Sequence, residues 1–207
     1  AGFADYITLN ISSPNTEGLR DLQTKSKLKE LLEAANAGLA DAQVTRPLFL
    51  KISPDLHDKD LEAIVDNSIK AGVSAILATN TTIARPAHLQ GRYALEIGGL
   101  SGAPLFFPTT EILSRLRHFA KHRIGLIGVG GVANGWQAYA KILVGADLVQ
   151  LYTGLALRGA SLPGLILQQL TTLMKADGVH TLADAKGRIP NAKKAIEHAT
   201  RLSQKFF

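Results

Sequence analysis

The feature that most limits what this chain can fold into is an apolar run followed by a helix-like stretch, repeated five times along the sequence. The runs are Tyr6–Leu9, Leu48–Ile52, Ala75–Ala78, Gly125–Val129 and Leu148–Tyr152. They are nearly continuous in apolar side chains, as strands are when a parallel sheet is covered on both faces. Helical spacing fills the gaps. Leu28, Leu31, Leu32, Ala35 and Leu39 predict a helix over about Lys25–Leu39, and Leu61, Ile64, Val65 and Ile69 predict one over Asp58–Ala71. A third is expected from Thr109, after Pro108, carrying Ile112, Leu113, Leu116 and Phe119. A fourth follows Asn134 with Trp136, Tyr139 and Ile142, and a fifth spans Leu162–Met174. Such alternation predicts a parallel α/β architecture.

Every apolar run leads into polar or glycine residues: Asn10, Lys51, Thr79-Asn80, Gly130-Gly131 and Thr153-Gly154. A (β/α)8 barrel draws its working groups from many strand ends at once, whereas a doubly wound sheet concentrates them at one switch point. The expected fold is therefore a (β/α)8 TIM barrel. Five strands cannot close a barrel of eight, so about three βα units are expected ahead of Ala1, and this chain supplies the last five. Residues 1–185 are assigned to the barrel and residues 186–207 to a basic C-terminal tail. Pro190–Phe207 reads as weakly amphipathic, suited to packing or to an oligomer contact.

Composition removes several functions. Without cysteine there is no disulfide, thiolate metal site or thiol nucleophile. No apolar run is long enough for a membrane helix, and no targeting signal is visible. The net charge of +6 comes from scattered residues, only 6% of residues are aromatic, and no stacking platform can be picked out, so nucleic acid is not an expected partner. A basic face that favours an anionic ligand or lipid surface fits better. His57, His88, His118, His122, His180 and His198 show no metal-ligand spacing and are read as surface residues. Asp5, Asp55 and Asp147 lack a partner for acid/base work.

What remains is a set of loops able to hold a polar ligand. Asn10-Ile11-Ser12-Ser13-Pro14-Asn15-Thr16 leaves the first strand with hydroxyls and carboxamides, though such a composition also makes an ordinary turn. Gly128-Val129-Gly130-Gly131 and Tyr152-Thr153-Gly154 end the last two strands, where barrels commonly hold a phosphate on backbone N–H groups. Lys51 closes a buried strand, where its ammonium either meets an anionic or electron-rich ligand or turns to the rim and pairs with Asp55. Thr79-Asn80-Thr81-Thr82 adds a second hydroxyl and carboxamide cluster. Asn10, Asn15 and Asn80 together suit a planar ligand with alternating carbonyl and N–H groups. The connection Thr81–Pro108 far exceeds the usual βα loop of about 2–6 residues and is expected to act as a lid or clamp.

Six motifs in order, Asn-Ile-Ser-Ser-Pro-Asn-Thr, Lys-Ile-Ser-Pro-Asp-Leu, Ala-Thr-Asn-Thr-Thr, Gly-Gly-Leu-Ser-Gly-Ala-Pro-Leu, Ile-Gly-Val-Gly-Gly-Val and Val-Gln-Leu-Tyr-Thr-Gly, closely resemble the C-terminal part of the dihydroorotate dehydrogenase family over about residues 4–185. The resemblance implies an FMN-containing barrel that oxidises dihydroorotate to orotate in pyrimidine synthesis. It implies Ser13 as the general base, with a hydride passing from the neighbouring ring carbon to flavin N5. Asn10, Asn15, Asn80 and Thr81 would hold substrate. Asn10, Lys51, Thr79, Gly102, Gly131, Tyr152 and Thr153 would contact the cofactor, with Lys51 at the flavin's pyrimidine end and Gly102, Gly131, Tyr152 and Thr153 at its phosphate.

Serine at position 13, where soluble members carry cysteine, resembles the quinone-reducing class. That class implies a quinone acceptor and peripheral contact with the cytoplasmic side of the inner membrane through an N-terminal extension. Two rival readings stay open. One is a phosphosugar isomerase or aldolase barrel, in which Lys51 forms a Schiff base. The other is an inactive, truncated barrel.

Overall fold

A computed structural model describes residues 2–87 and 89–207; His88 lies outside the described residues. Five strands, β1 (Ile7–Asn10), β2 (Leu48–Ile52), β3 (Ala75–Ala78), β4 (Gly125–Val129) and β5 (Leu148–Gln150), form one parallel sheet in sequential order. Sequential order is what a (β/α)8 barrel requires, and it leaves no switch point of the doubly wound kind. The strands occur where the apolar runs predict them, within one or two residues. β3 is buried throughout and β2 is covered on both faces. Among the described residues β1 and β5 each pair with one neighbour only, and both are less covered.

The helices α1 (Lys25–Asp41), α2 (Asp58–Lys70), α3 (Phe106–Ala120) and α4 (Gly135–Leu143) follow β1 to β4 in turn, and α6 (Leu162–Ala176) follows β5. The predicted stripes are buried in part: Leu28 and Leu32 on α1, Leu61, Ile64 and Val65 on α2, and Ile112, Leu113 and Leu116 on α3 are buried, while Leu31, Ala35, Leu39, Ile69 and Phe119 are half-buried. Asn134 caps α4, its side chain accepting from Gln137 N at 3.0 Å. α3 begins three residues before the expected start, with Pro108 inside its first turn. The first four N–H groups of a helix have no intrahelical partner, so the missing donor costs nothing there.

Three further helices are α5 (Thr153–Arg158), α7 (Leu182–Ala185) and α8 (Ala192–Ser203). The fifth expected strand stops short because its last residues, Leu151 and Tyr152, lead into α5 instead of pairing. The basic C-terminal segment packs on the body of the fold. α8 buries Ala192, Ala195, Ala199 and Leu202, which join the same core cluster as α3 and α4. The polypeptide leading to it is tied down by Gly187 N to Ile142 O (3.1 Å), Ile189 N to Leu143 O (3.0 Å) and Ser114 Oγ to Pro190 O.

His198 departs from the surface position expected of it. Its side chain is 22% exposed and Nε2 stands 2.9 Å from Asp177 Oδ1, whose other oxygen accepts from Tyr139 Oη at 2.5 Å. His57, His118, His122 and His180 are exposed. Asp147 also has partners that the sequence did not suggest: Lys186 Nζ at 2.6 Å, Leu126 N at 2.8 Å and Arg117 at 3.0 Å. Burial alone would push its carboxyl up, but these three donors hold it below the usual carboxylate range. No helix among the described residues is long and apolar enough to cross a membrane.

Candidate active site

Parallel register brings the C-terminal ends of the strands side by side. Asn10 stands opposite Lys51, Lys51 opposite Leu77, and Ala78 opposite Gly128. The ladder continues past β3, with Asn80 N donating to Ile52 O at 2.8 Å and Thr79 N to Val129 O at 3.1 Å. Thr79 and Asn80 are thereby fixed on the same rim as Lys51. A cavity of about 290 Å³ opens over that rim. At one end it is lined by Lys51, Thr79, Asn80 and Thr81, and at the other by Gly102, Gly131, Tyr152 and Thr153.

The remaining sequence-predicted residues lie beside this cavity. Asn10 joins it through Asn80, whose Nδ2 donates to Asn10 Oδ1 and to Ser12 Oγ, both at 3.0 Å. Ser12 Oγ in turn donates to Asn10 Oδ1 at 3.1 Å, and Asn80 Oδ1 accepts from Thr81 N at 2.8 Å. Each carboxamide is therefore held in one orientation. Ser13 and Asn15 do not line the cavity. Ser13 is half-buried on the loop after β1, and its Oγ accepts from Asn15 N at 3.3 Å. Asn15 borders a second opening with Gly98 and Gly99; Ser101 belongs to both openings, so the two adjoin.

Sequence reasoning missed the residues that hold these loops together. Arg20 donates to Asp55 Oδ2 (2.8 Å), Ser12 O (3.2 Å) and Thr81 O (3.0 Å). Asp55 also accepts from Thr82 Oγ1 and from Ile83 N (3.2 Å). One ion pair thus fastens the loops after β1, β2 and β3 to each other. Arg85 does the same for the long connection, donating to Glu96 O and Gly98 O, both at 2.7 Å. Ser12, fully buried at the centre of the carboxamide cluster, had no more sequence signal than its neighbour Ser13.

Asp55 being taken by Arg20 resolves one question left open for Lys51. No carboxylate among the described residues pairs with Lys51, and burial pushes its ammonium below its ordinary pKa. It therefore faces the cavity as a half-desolvated cation in need of an electron-rich partner.

The opposite end fits a phosphate. Gly131 has φ +72°, and a Cβ added there would sit 2.4 Å from Phe106 N. The turn is thus pressed against the start of α3 and admits glycine alone. Among the described residues the amides of Gly130, Gly131 and Val132 donate to no acceptor, while Arg158 stands at the rim with its Nη1 bonded to Ala133 O at 2.7 Å. Unpaired amides in a glycine turn with a cation nearby make an anion cradle. Together the two ends suit FMN, whose planar ring needs an electrostatic partner and whose phosphate needs amide donors. Among the described residues there is no cluster of metal ligands.

Comparison with known proteins places the fold in a family. The family model for dihydroorotate dehydrogenase matches residues 1–174. A dihydroorotate dehydrogenase (quinone) from Azorhizobium caulinodans is 48% identical over 89% of this chain and 53% of the relative. One from Rhodospirillum rubrum is 43% identical over 90% of this chain and 52% of its own length. A crystal structure of the Eimeria tenella enzyme in complex with ferulenol superposes with a TM-score of 0.86 at 33% identity, covering 90% of this chain and 54% of that one. The chain spans about half the length of the curated relatives it matches, and its sequentially ordered parallel sheet corresponds to part of their barrel. The family match, the relatives and the superposition together establish that this chain belongs to the dihydroorotate dehydrogenase family.

Proposed function

We propose that the protein carrying this chain oxidises dihydroorotate to orotate with FMN and passes the electrons to a quinone. The observation that carries this reading is the single cavity that joins a desolvated lysine at one end to a glycine cradle at the other. Gly102, Gly131, Tyr152 and Thr153 would hold its phosphate, Asn10 and Thr79 would contact its ring system, and Lys51 would offset negative charge on the ring. When bound, FMN supplies the hydride acceptor. Asn10, Asn15, Asn80 and Thr81 present donors and acceptors to the amide edges and carboxylate of the substrate.

Ser13 removes a proton from one ring carbon while the neighbouring carbon loses a hydride, so a carbon–carbon double bond forms. Two electrons and two protons leave the substrate, and a quinone receives them as a quinol. A serine hydroxyl is a weak base, and no imidazole or carboxylate among the described residues bonds to it. Its proton must therefore leave through fixed hydrogen bonds or water. Asn15 N already fixes the position of Ser13 Oγ.

The quinone assignment rests on Ser13 and on relatives named as quinone enzymes. It implies the peripheral membrane association of that class. It is tested by reoxidation of the reduced whole protein. A short-chain ubiquinone analogue is expected to restore the oxidised flavin spectrum much faster than NAD+ or fumarate. Preference for either of the latter contradicts the quinone reading and leaves dihydroorotate oxidation standing.

A further inference from the structure

Lys141 is a buried cation to which the proposed chemistry gives no task. It lies on α4 with 0% of its surface exposed, and it does not line the cavity. Among the described residues no carboxylate forms an ion pair with it. Its Nζ donates to two hydroxyls on α3, Thr109 Oγ1 at 2.9 Å and Thr110 Oγ1 at 3.2 Å, and stands 5.5 Å from the centre of the Phe106 ring. Each hydroxyl passes its own proton to a carbonyl: Thr109 to Leu105 O at 2.7 Å, Thr110 to Phe106 O at 2.6 Å. Thr109 Oγ1 also lies 3.3 Å from Gly130 O.

Lys141 is thus connected, through one threonine, to the back of the glycine turn whose front amides have no acceptor. The turn and the threonine are in close packing, since a Cβ at Gly130 would meet Thr109 Cγ2 at 2.9 Å. Gly128, one residue before the end of β4, leaves room for the lysine stem: a Cβ there would meet Lys141 Cδ at 2.9 Å.

A buried cation without an anion is costly, and a hydrophobic residue of similar shape would cost less. Burial pushes the ammonium down to about 7, so within the chain alone the charge is poorly supported. The glycine cradle on the other side of the turn is where a compensating anion fits, and the interior between them screens weakly.

We propose that Lys141 is the buried countercharge of the phosphate cradle, holding the Gly130–Gly131 turn in place through Thr109 and stabilising a phosphate monoester bound in front of it. It is a positioning residue, acting through Thr109 and through the interior. The inference rests on the FMN reading of the cavity and adds to it the residue that supplies its charge from behind.

The test compares FMN with riboflavin, which has the same ring and ribityl chain without the phosphate. Affinities are measured on the whole apoprotein, together with its melting temperature. Lys141→Met is expected to weaken FMN binding by about tenfold, the size of a coupling between two charges that shifts a pKa by about one unit. Riboflavin binding should stay unchanged. The apoprotein should melt no lower than wild type, because both threonines keep their carbonyl acceptors and a buried charge is gone.

Thr109→Val keeps the shape of the link and removes its hydroxyl; it should give a smaller loss, again for FMN alone, and it decides the matter if Lys141→Met does not fold. Equal losses for both flavins overturn the proposal, since they mean general structural damage. Unaltered FMN binding in both variants overturns it too, while leaving the FMN reading intact. A wild-type protein that binds neither flavin overturns the FMN reading itself, and the proposal with it.

Discussion

Ser13→Ala is expected to slow reduction of the bound flavin by dihydroorotate by about 10²- to 10⁴-fold, the range over which a positioned base contributes. Orotate affinity should stay close to wild type. The separation of the two effects follows from the geometry. Ser12, not Ser13, ties Asn10 to Asn80, and Arg20 holds the loop through Ser12 O. Removing the Ser13 hydroxyl costs the loop only the 3.3 Å contact from Asn15 N. Ligand contacts carried by the carboxamides should therefore persist while proton removal fails. Anaerobic stopped-flow reduction and an orotate titration of the flavin spectrum measure the two halves. Reduction at the wild-type rate contradicts the assignment of Ser13 as base. A parallel collapse of orotate binding would mean that Ser13 serves the loop and not the chemistry.

Gly131→Ala is expected to cost most of the bound flavin, an affinity loss of at least about a hundredfold, roughly 3 kcal/mol. A methyl group at this position points into Phe106 N, Cα and Cβ at 2.4–2.5 Å. The backbone also has φ +72°, which an L side chain adopts with strain. Either the turn or the start of α3 must shift, and the turn carries the amides of the cradle. Gly164→Ala is the control, because a Cβ there meets nothing within 4 Å. It lies on α6, where alanine is the better helix former. Flavin retained after purification and the dissociation constant of FMN give the readout. Full flavin content in Gly131→Ala would remove the phosphate from this turn.

Much of the scaffold was legible because it rests on short-range patterning. The continuous apolar runs of β2, β3 and β4 could be buried in only one kind of sheet, and polar residues at successive strand ends marked the working rim. The buried stripes of α1, α2 and α3 follow from their Leu and Ile spacing. α8 was harder to read because its buried stripe is mostly alanine, which looks weakly amphipathic until Ala195 and Ala199 are found against α4. The start of α3 was hidden by Pro108, a helix breaker everywhere except in a first turn.

The candidate site divides in the same way. Lys51, Thr79, Asn80, Gly131 and Thr153 announce themselves by standing at strand ends. The residues that brace them do not. Arg20 and Asp55 are 35 positions apart, and nothing in either neighbourhood links one to the other before the loops fold. Lys141 had no signal either: a lysine among Ala140 and Ile142 on an amphipathic helix reads as an exposed edge until both faces are covered. His198 reads as a surface residue in the sequence for the same reason, its partner Asp177 lying on another element.

Transfer of electrons from dihydroorotate into a flavin bound at this site is measured by adding dihydroorotate to the whole protein without oxygen and following the visible absorbance. The expected result is a flavin spectrum that bleaches stoichiometrically with substrate. A protein that binds FMN at this cradle yet stays fully oxidised in excess dihydroorotate would contradict the assignment of the substrate site. A protein of full length with no affinity for flavin would contradict the account as a whole and favour a phosphosugar barrel built on the same glycine turn.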